Sequence, residues 1–127
     1  MAEPVVRSMD EVVTVPVERA RGATMQVLIG ATDGVPNFIT RRFTIGPGGR
    51  IPRHRHGSIE HEQVVLEGAM VVDLDGRRVE LEAGQCLFIP AGVAHAYENQ
   101  RDVPVRFLCV VPLTEAYQTE WLEPAEE

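Results

Sequence analysis

The sequence predicts an all-β domain, a barrel or a sandwich, on three observations. Runs of alternating apolar and polar residues, each of strand length, recur with Gly, Pro, Asn or Asp turn signals about every 8 to 12 residues. No helical periodicity of ordinary length occurs before the end of the chain. Asp75-Gly76, the preferred dipeptide of a type I′ hairpin turn, sits between the alternating pairs Val72, Leu74 and Val79, Leu81. The 127 residues fit a single domain, expected as an N-terminal arm (1–22), a β-barrel (23–113) and a tail (114–127).

In chain order, the arm carries valine pairs and prolines, and a short strand is expected at 12–17, where Pro16 marks an edge position. Such an arm either crosses to a partner subunit or lies on its own barrel. A first firm strand follows at 23–30, then a loop punctuated by Gly and Pro. Residues 37–49 begin as a strand with Ile39, Arg41, Phe43 and Ile45 on one face, and Gly46, Pro47, Gly48 and Gly49 are expected to end it in a turn. In the next strand, alternation aims His54 and His56 one way and Arg53 and Arg55 the other.

After a short turn, His61, Gln63 and Val65 share a face opposite Glu62, Val64 and Leu66. The 75–76 hairpin follows, then QCLFIP, expected as a buried strand stopped by Pro90 and Gly92, with Cys86 as inert core. His95 and Tyr97 share parity, and Val105, Phe107, Cys109 and Val111 share one face of the last barrel strand. The tail is expected to form a brief helix that docks Tyr117, Trp121 and Leu122, followed by a frayed acidic end.

Composition excludes some classes of function. Nineteen acidic against 12 basic residues give a formal charge of −7, which argues against nucleic acid as a partner. Two cysteines, Cys86 and Cys109, are too few for a disulfide framework. No leader-like segment opens the chain, and no apolar run approaches the roughly 18 residues of a membrane span. A cytoplasmic protein with reduced thiols and no membrane partner is expected. Against this plain background all four histidines, His54, His56, His61 and His95, fall in one window. Imidazole is the commonest metal ligand, and His-x-His on a strand aims two of them at one point. One metal site fed by two segments is the working expectation.

Two gapped motifs carry a family resemblance. Gly48, five residues, His54-x-His56, four residues, His61, six residues and Gly68 resemble the first cupin motif. Gly84, five residues, Pro90-x-Gly92, two residues, His95, three residues and Asn99 resemble the second at every fixed position, with 15 residues between the motifs. The resemblance implies a double-stranded β-helix, a jelly-roll barrel. It also implies one divalent ion held by His54, His56, His61 and His95, with Mn or Fe as first expectations and Ni, Cu or Zn as further options. His61 departs from the family, which usually has Glu there. Glu60 and Glu62 flank it as alternatives, but a shift of one residue flips a side chain to the other face. An all-imidazole site carries one more positive charge and favours ions that accept nitrogen donors.

Pocket candidates beside the ion are Gln63, Tyr97, Phe107 and Cys109, each with a packing role as its alternative. The first functional expectation is an oxidase or dioxygenase acting on a small molecule. The alternatives are non-redox metal catalysis, an isomerase or decarboxylase, and a protein that binds or senses a metabolite without turnover. A homodimer is expected by analogy with similar barrels.

Overall fold

The structure, a computed structural model, describes residues 2–127. Ten strands follow in order: β1 (Val15–Pro16), β2 (Arg21–Ile29), β3 (Phe38–Arg55), β4 (His61–Glu67), β5 (Ala69–Leu74), β6 (Arg77–Glu82), β7 (Cys86–Ile89), β8 (His95–Glu98), β9 (Val105–Pro112) and β10 (Glu120–Trp121). Every pairing among the described residues is antiparallel, along the path β6-β5-β8-β3-β9-β4-β7, with β2 and β10 also on β3. The result is a nearly closed, all-β double-stranded β-helix. Among the described residues, no helix is long and apolar enough to cross a membrane.

Alternation built the core where it was expected. In β9 every second residue (Val105, Phe107, Cys109, Val111) is buried, and in β4 His61, Gln63 and Val65 are buried while Glu62 and Val64 are exposed. Phe107 stacks between Phe43 and Tyr97, with ring centroids 5.3 Å away on each side. The 75–76 turn has positive φ at both residues, as type I′ requires.

Three expectations need correction. Residues 46–49 do not end a strand. β3 runs on through them, and the four residues oppose Gly22 alone between the pairs Ala23↔Ile45 and Arg21↔Arg50. The bulge lets one strand serve both halves of the barrel: residues up to Ile45 pair with β2 and β9, and residues from Arg50 pair with β8. Gly49 is needed there, since a Cβ would stand 2.9 Å from the carbonyl oxygens of both Gly22 and Gly46. Asn99 ties the bulge to β8 through its backbone, exchanging hydrogen bonds of 3.0 Å with Gly48 and Gly49. Its buried side-chain amide donates to Ile45 O and Val103 O.

Strand β7 is buried on one face only. It ends the sheet path, with Ile89 and the partly buried Leu87 toward the core, while Cys86 is exposed and Phe88 is 56% exposed. The apolar sequence reflects an edge strand whose outer side no element covers. The tail forms no helix: β10 pairs with the second half of β3, at Glu120↔Arg55 and Trp121↔His54. A strand there satisfies backbone groups of an otherwise open edge, a gain that no helix offers. Nor is the acidic end frayed. Glu123 accepts from Arg53 N at 2.6 Å and Arg50 at 2.9 Å, and Glu126 pairs with Arg21 at 2.6 Å and Arg50 at 3.1 Å. The N-terminal arm lies on its own barrel, where Gln26 donates to Met9 O and Val12 O and Arg7 pairs with Asp33.

Candidate metal centre

Three strands deliver the four imidazoles to one point. His54 and His56 come from the end of β3, His95 faces His54 across the β3–β8 ladder, and His61 opens β4. All four are buried. Ring centroids lie 4.3 Å apart for His54–His95, 4.8 Å for His56–His61, 5.1 Å for His54–His56 and 5.4 Å for His61–His95. One candidate ligand atom from each of His54, His56 and His95 lies within 4.8 Å of the others. His61 stands outside that trio but closes the ring of imidazoles. Glu60 and Glu62 are both exposed, Glu62 on the outer face of β4.

Backbone carbonyls set the tautomers. His54 Nδ1 donates to Pro52 O at 2.8 Å, His95 Nδ1 to Val93 O at 2.9 Å and His56 Nδ1 to Gln118 O at 3.0 Å. A carbonyl can only accept, so each ring carries its proton on Nδ1 and presents a lone pair at Nε2. The loops that supply these carbonyls are themselves held. Gly92 N donates to His56 O at 2.8 Å, and the 75–76 hairpin tip bonds the backbone of Ala94 in both directions. The Pro-x-Gly and Asp-Gly turns therefore fix the site by fixing its carbonyls.

The rings are neutral near neutral pH. Burial, before any other cause, pushes His54 down to about 4, His95 to about 3 and His61 to about 2. It lowers His56 as well, and the charge of Arg41 adds to the effect at His54, His56 and His61. Neutral imidazole is the metal-binding form. His61 Nδ1 is buried without a hydrogen-bond partner, unlike its three neighbours. Clustered neutral imidazoles with no acid among them, one holding an orphaned buried nitrogen, fit a divalent cation that accepts nitrogen donors.

The cluster lies in a cavity of about 170 Å³ with largely aromatic and apolar walls. Each of the four pocket candidates lines it. Gln63 Nε2 donates to Tyr97 Oη at 2.7 Å and contacts Cys109 Sγ at 3.4 Å, while Gln63 Oε1 is buried without a partner within the chain. Burial holds the Tyr97 phenol above its ordinary value, so it stays protonated and keeps its O–H free to donate. The sequence reading missed Arg41 as a wall residue, and with it Tyr117, Thr119 and Trp121. The tail crosses the cavity mouth, where the Tyr117 ring stands 4.9 Å from His56 and the Trp121 ring 4.9 Å from His54. A signal for Arg41 was available: an arginine among Ile39, Phe43 and Ile45 on one strand face. The tail residues gave none.

This barrel and its histidine cluster define a family. The Cupin_2 model, described as "Cupin domain", matches residues 41–111, and the chain belongs to the cupin family. Within it, the chain is similar to the polyketide cyclase RemF from Streptomyces resistomycificus, with 32% identity, a TM-score of 0.85, and coverage of 99% of this chain and 89% of that one. It is also similar to the tetracenomycin polyketide synthase protein TcmJ from Streptomyces glaucescens, 30% identical over 91 residues, 72% of this chain and 61% of that protein. A shorter match, 38% over 55 residues, joins it to quercetin 2,3-dioxygenase from Bacillus subtilis, over 43% of this chain and 16% of that one. The chain spans about three-fifths of the length of the first two curated relatives.

Proposed function

We propose that this chain is a metal-dependent cyclase for a polyketide-like small molecule, and that His54, His56, His61 and His95 are the ligands of its ion. The observation that carries the reading is a four-imidazole cluster, free of carboxylates, set among aromatic walls in a small cavity. The likeness to a polyketide cyclase over nearly the whole chain supports it. When bound, the divalent ion supplies Lewis acidity to substrate oxygens. Mn and Fe remain the first expectations, with Ni, Cu and Zn as further options.

The walls account for the rest. Phe43, Phe107 and Tyr97 form a flat stacked face against which a planar or folded ketone chain packs. The volume is close to that of a cavity that accepts benzene, so only one or two rings enter at a time. Gln63 Oε1 accepts a hydrogen bond from a substrate hydroxyl, and the Tyr97 O–H donates to a substrate oxygen. No strong base lines the site, and little is needed. A carbon between two ketones is acidic enough to lose its proton once those oxygens are polarised. The carbon–carbon bond then forms by attack of the enolate carbon on a distant ketone, whose oxygen takes up one proton to become a hydroxyl. That hydroxyl leaves with the second proton of the attacking carbon, as water and a new C=C bond. The step involves no net oxidation.

The test is incubation of the Mn(II)- or Zn(II)-loaded protein with an aryl 1,3,5,7-tetraketone under anaerobic conditions. Ring closure, followed as a new phenol absorbance, is the expected result. Closure that requires oxygen and consumes it would favour the second reading, a dioxygenase, which the quercetin 2,3-dioxygenase match supports. An unreacted tetraketone with no oxygen uptake would count against both.

A further inference from the structure

Arg41 is the one strong charge on the cavity wall that the proposed chemistry leaves without a role. It sits on the inner face of β3, packed over the Phe43 ring at 5.1 Å. Its Nη2 reaches Cys109 Sγ at 3.3 Å and its Nη1 reaches Tyr117 Oη at 3.3 Å, both weak acceptors. Its Nε is buried with no partner at all. Among the described residues, no ion pair includes Arg41. Glu18, solvent-exposed on the arm, is the single carboxylate on the same wall, and it does not pair with the guanidinium. The side chain is half-buried, and its guanidinium lies over the Phe43 and Tyr117 rings with no carboxylate partner. That leaves a cation with a buried, unsatisfied Nε that an anion would satisfy. The four imidazoles are neutral and Glu18 does not reach the guanidinium, so no negative side chain on the cavity wall meets it.

We propose that Arg41 forms an anion subsite, so that the ligand of this cavity is a planar molecule carrying a carboxylate or comparable anionic oxygen that meets the guanidinium. The proposal rests on the reading of the cavity as the substrate site. Arg41 pairs with Cys109, and Cys109 pairs with Gln63, the residue two positions after His61. The side chains converge over that row: Arg41 Nη2 and Gln63 Nε2 meet the same Cys109 Sγ, at 3.3 and 3.4 Å, so guanidinium and amide face one part of the cavity wall. The guanidinium fork then takes the anionic oxygens through Nε and a terminal nitrogen, a bidentate geometry that lysine cannot reproduce.

The test compares 2-naphthoate with 2-naphthamide, its neutral isostere, by titration calorimetry on the Mn(II)-loaded protein. The wild type should bind the carboxylate about tenfold or more tightly than the amide, as a charge-assisted bond in a desolvated site would give. Arg41→Met, at equal metal content, should shrink that ratio at least about fivefold, while Arg41→Lys should keep part of it. An unchanged ratio in Arg41→Met would overturn the subsite, because the ion alone would then account for the preference. If Arg41→Met does not fold, Arg41→Lys carries the same test: a ratio identical to wild type overturns the forked contact. Equal binding of both probes by the wild type overturns the subsite but leaves the cavity as the substrate site. Binding of neither overturns both.

Discussion

His54, His56 and His95 each commit one ring nitrogen to a backbone carbonyl, and His61 commits neither. That difference sorts the ligands by how well they are held. The three anchored rings are oriented before any ion arrives, so His54→Ala and His95→Ala should each lower bound metal at least about tenfold, read by elemental analysis. Retained stoichiometric metal in either variant would sink the four-histidine centre. His61→Ala should weaken binding more than Glu60→Ala or Glu62→Ala, because both carboxylates are exposed. The reverse order would return the family's usual glutamate to the site. Parity in the sequence was enough to pair His54 with His56 and to set Glu62 opposite His61, since alternation is a local property of a strand. It was not enough for Cys86. That thiol has apolar neighbours along the chain but lies on an edge strand with nothing packed over it.

At the scale of elements, β3 is the member on which the others depend. It carries two of the proposed ligands and Arg41, and it pairs with four other strands. Its bulge decides whether residues after Arg50 arrive in register with β8. Gly49→Ala should therefore cost about 2 kcal/mol or more by urea denaturation and lower metal affinity along with stability. Unchanged stability would show that the bulge relaxes around a Cβ. The four consecutive residues Gly46, Pro47, Gly48 and Gly49 read locally as a turn because their turn propensity is real. Pairing with β2 and the clasp from Asn99 override it, and both partners are distant in sequence. The tail shows the same override. Its local pattern is compatible with a helix, but an open strand edge and the arginines at 50 and 53 draw it into β10 and ion pairs.

Across the whole molecule, the buried histidines link stability to pH. Their folded values lie below the ordinary value of about 6.5, so between roughly pH 4 and 6.5 the unfolded chain binds more protons than the folded one. Stability of the metal-free protein should then fall as pH drops below 6.5. Thermal unfolding at pH 7 and pH 5 checks it, with a melting point lower by several degrees at pH 5 expected. The metal-loaded protein should fall more steeply, since protons also compete with the ion. Asp33, held down to about 2 by Arg7, works in the same sense at lower pH: its contribution is present above the ordinary carboxylate range and is lost as pH falls from there toward 2.

By itself the sequence determined the all-β class, the strand faces, the 75–76 hairpin and the four histidines on inward parity. These follow from periods of two residues and from turn chemistry, which act between neighbours in the chain. Only the tertiary structure decided what stands around the histidines. The Gln118 carbonyl that orients His56, the contacts that hold the Arg41 charge on the cavity wall and the pairing of the tail with β3 come from residues tens of positions apart. Strand pairing at that separation is chosen by the barrel as a whole, through edges that must be satisfied and a core that must be filled, and no local pattern encodes it.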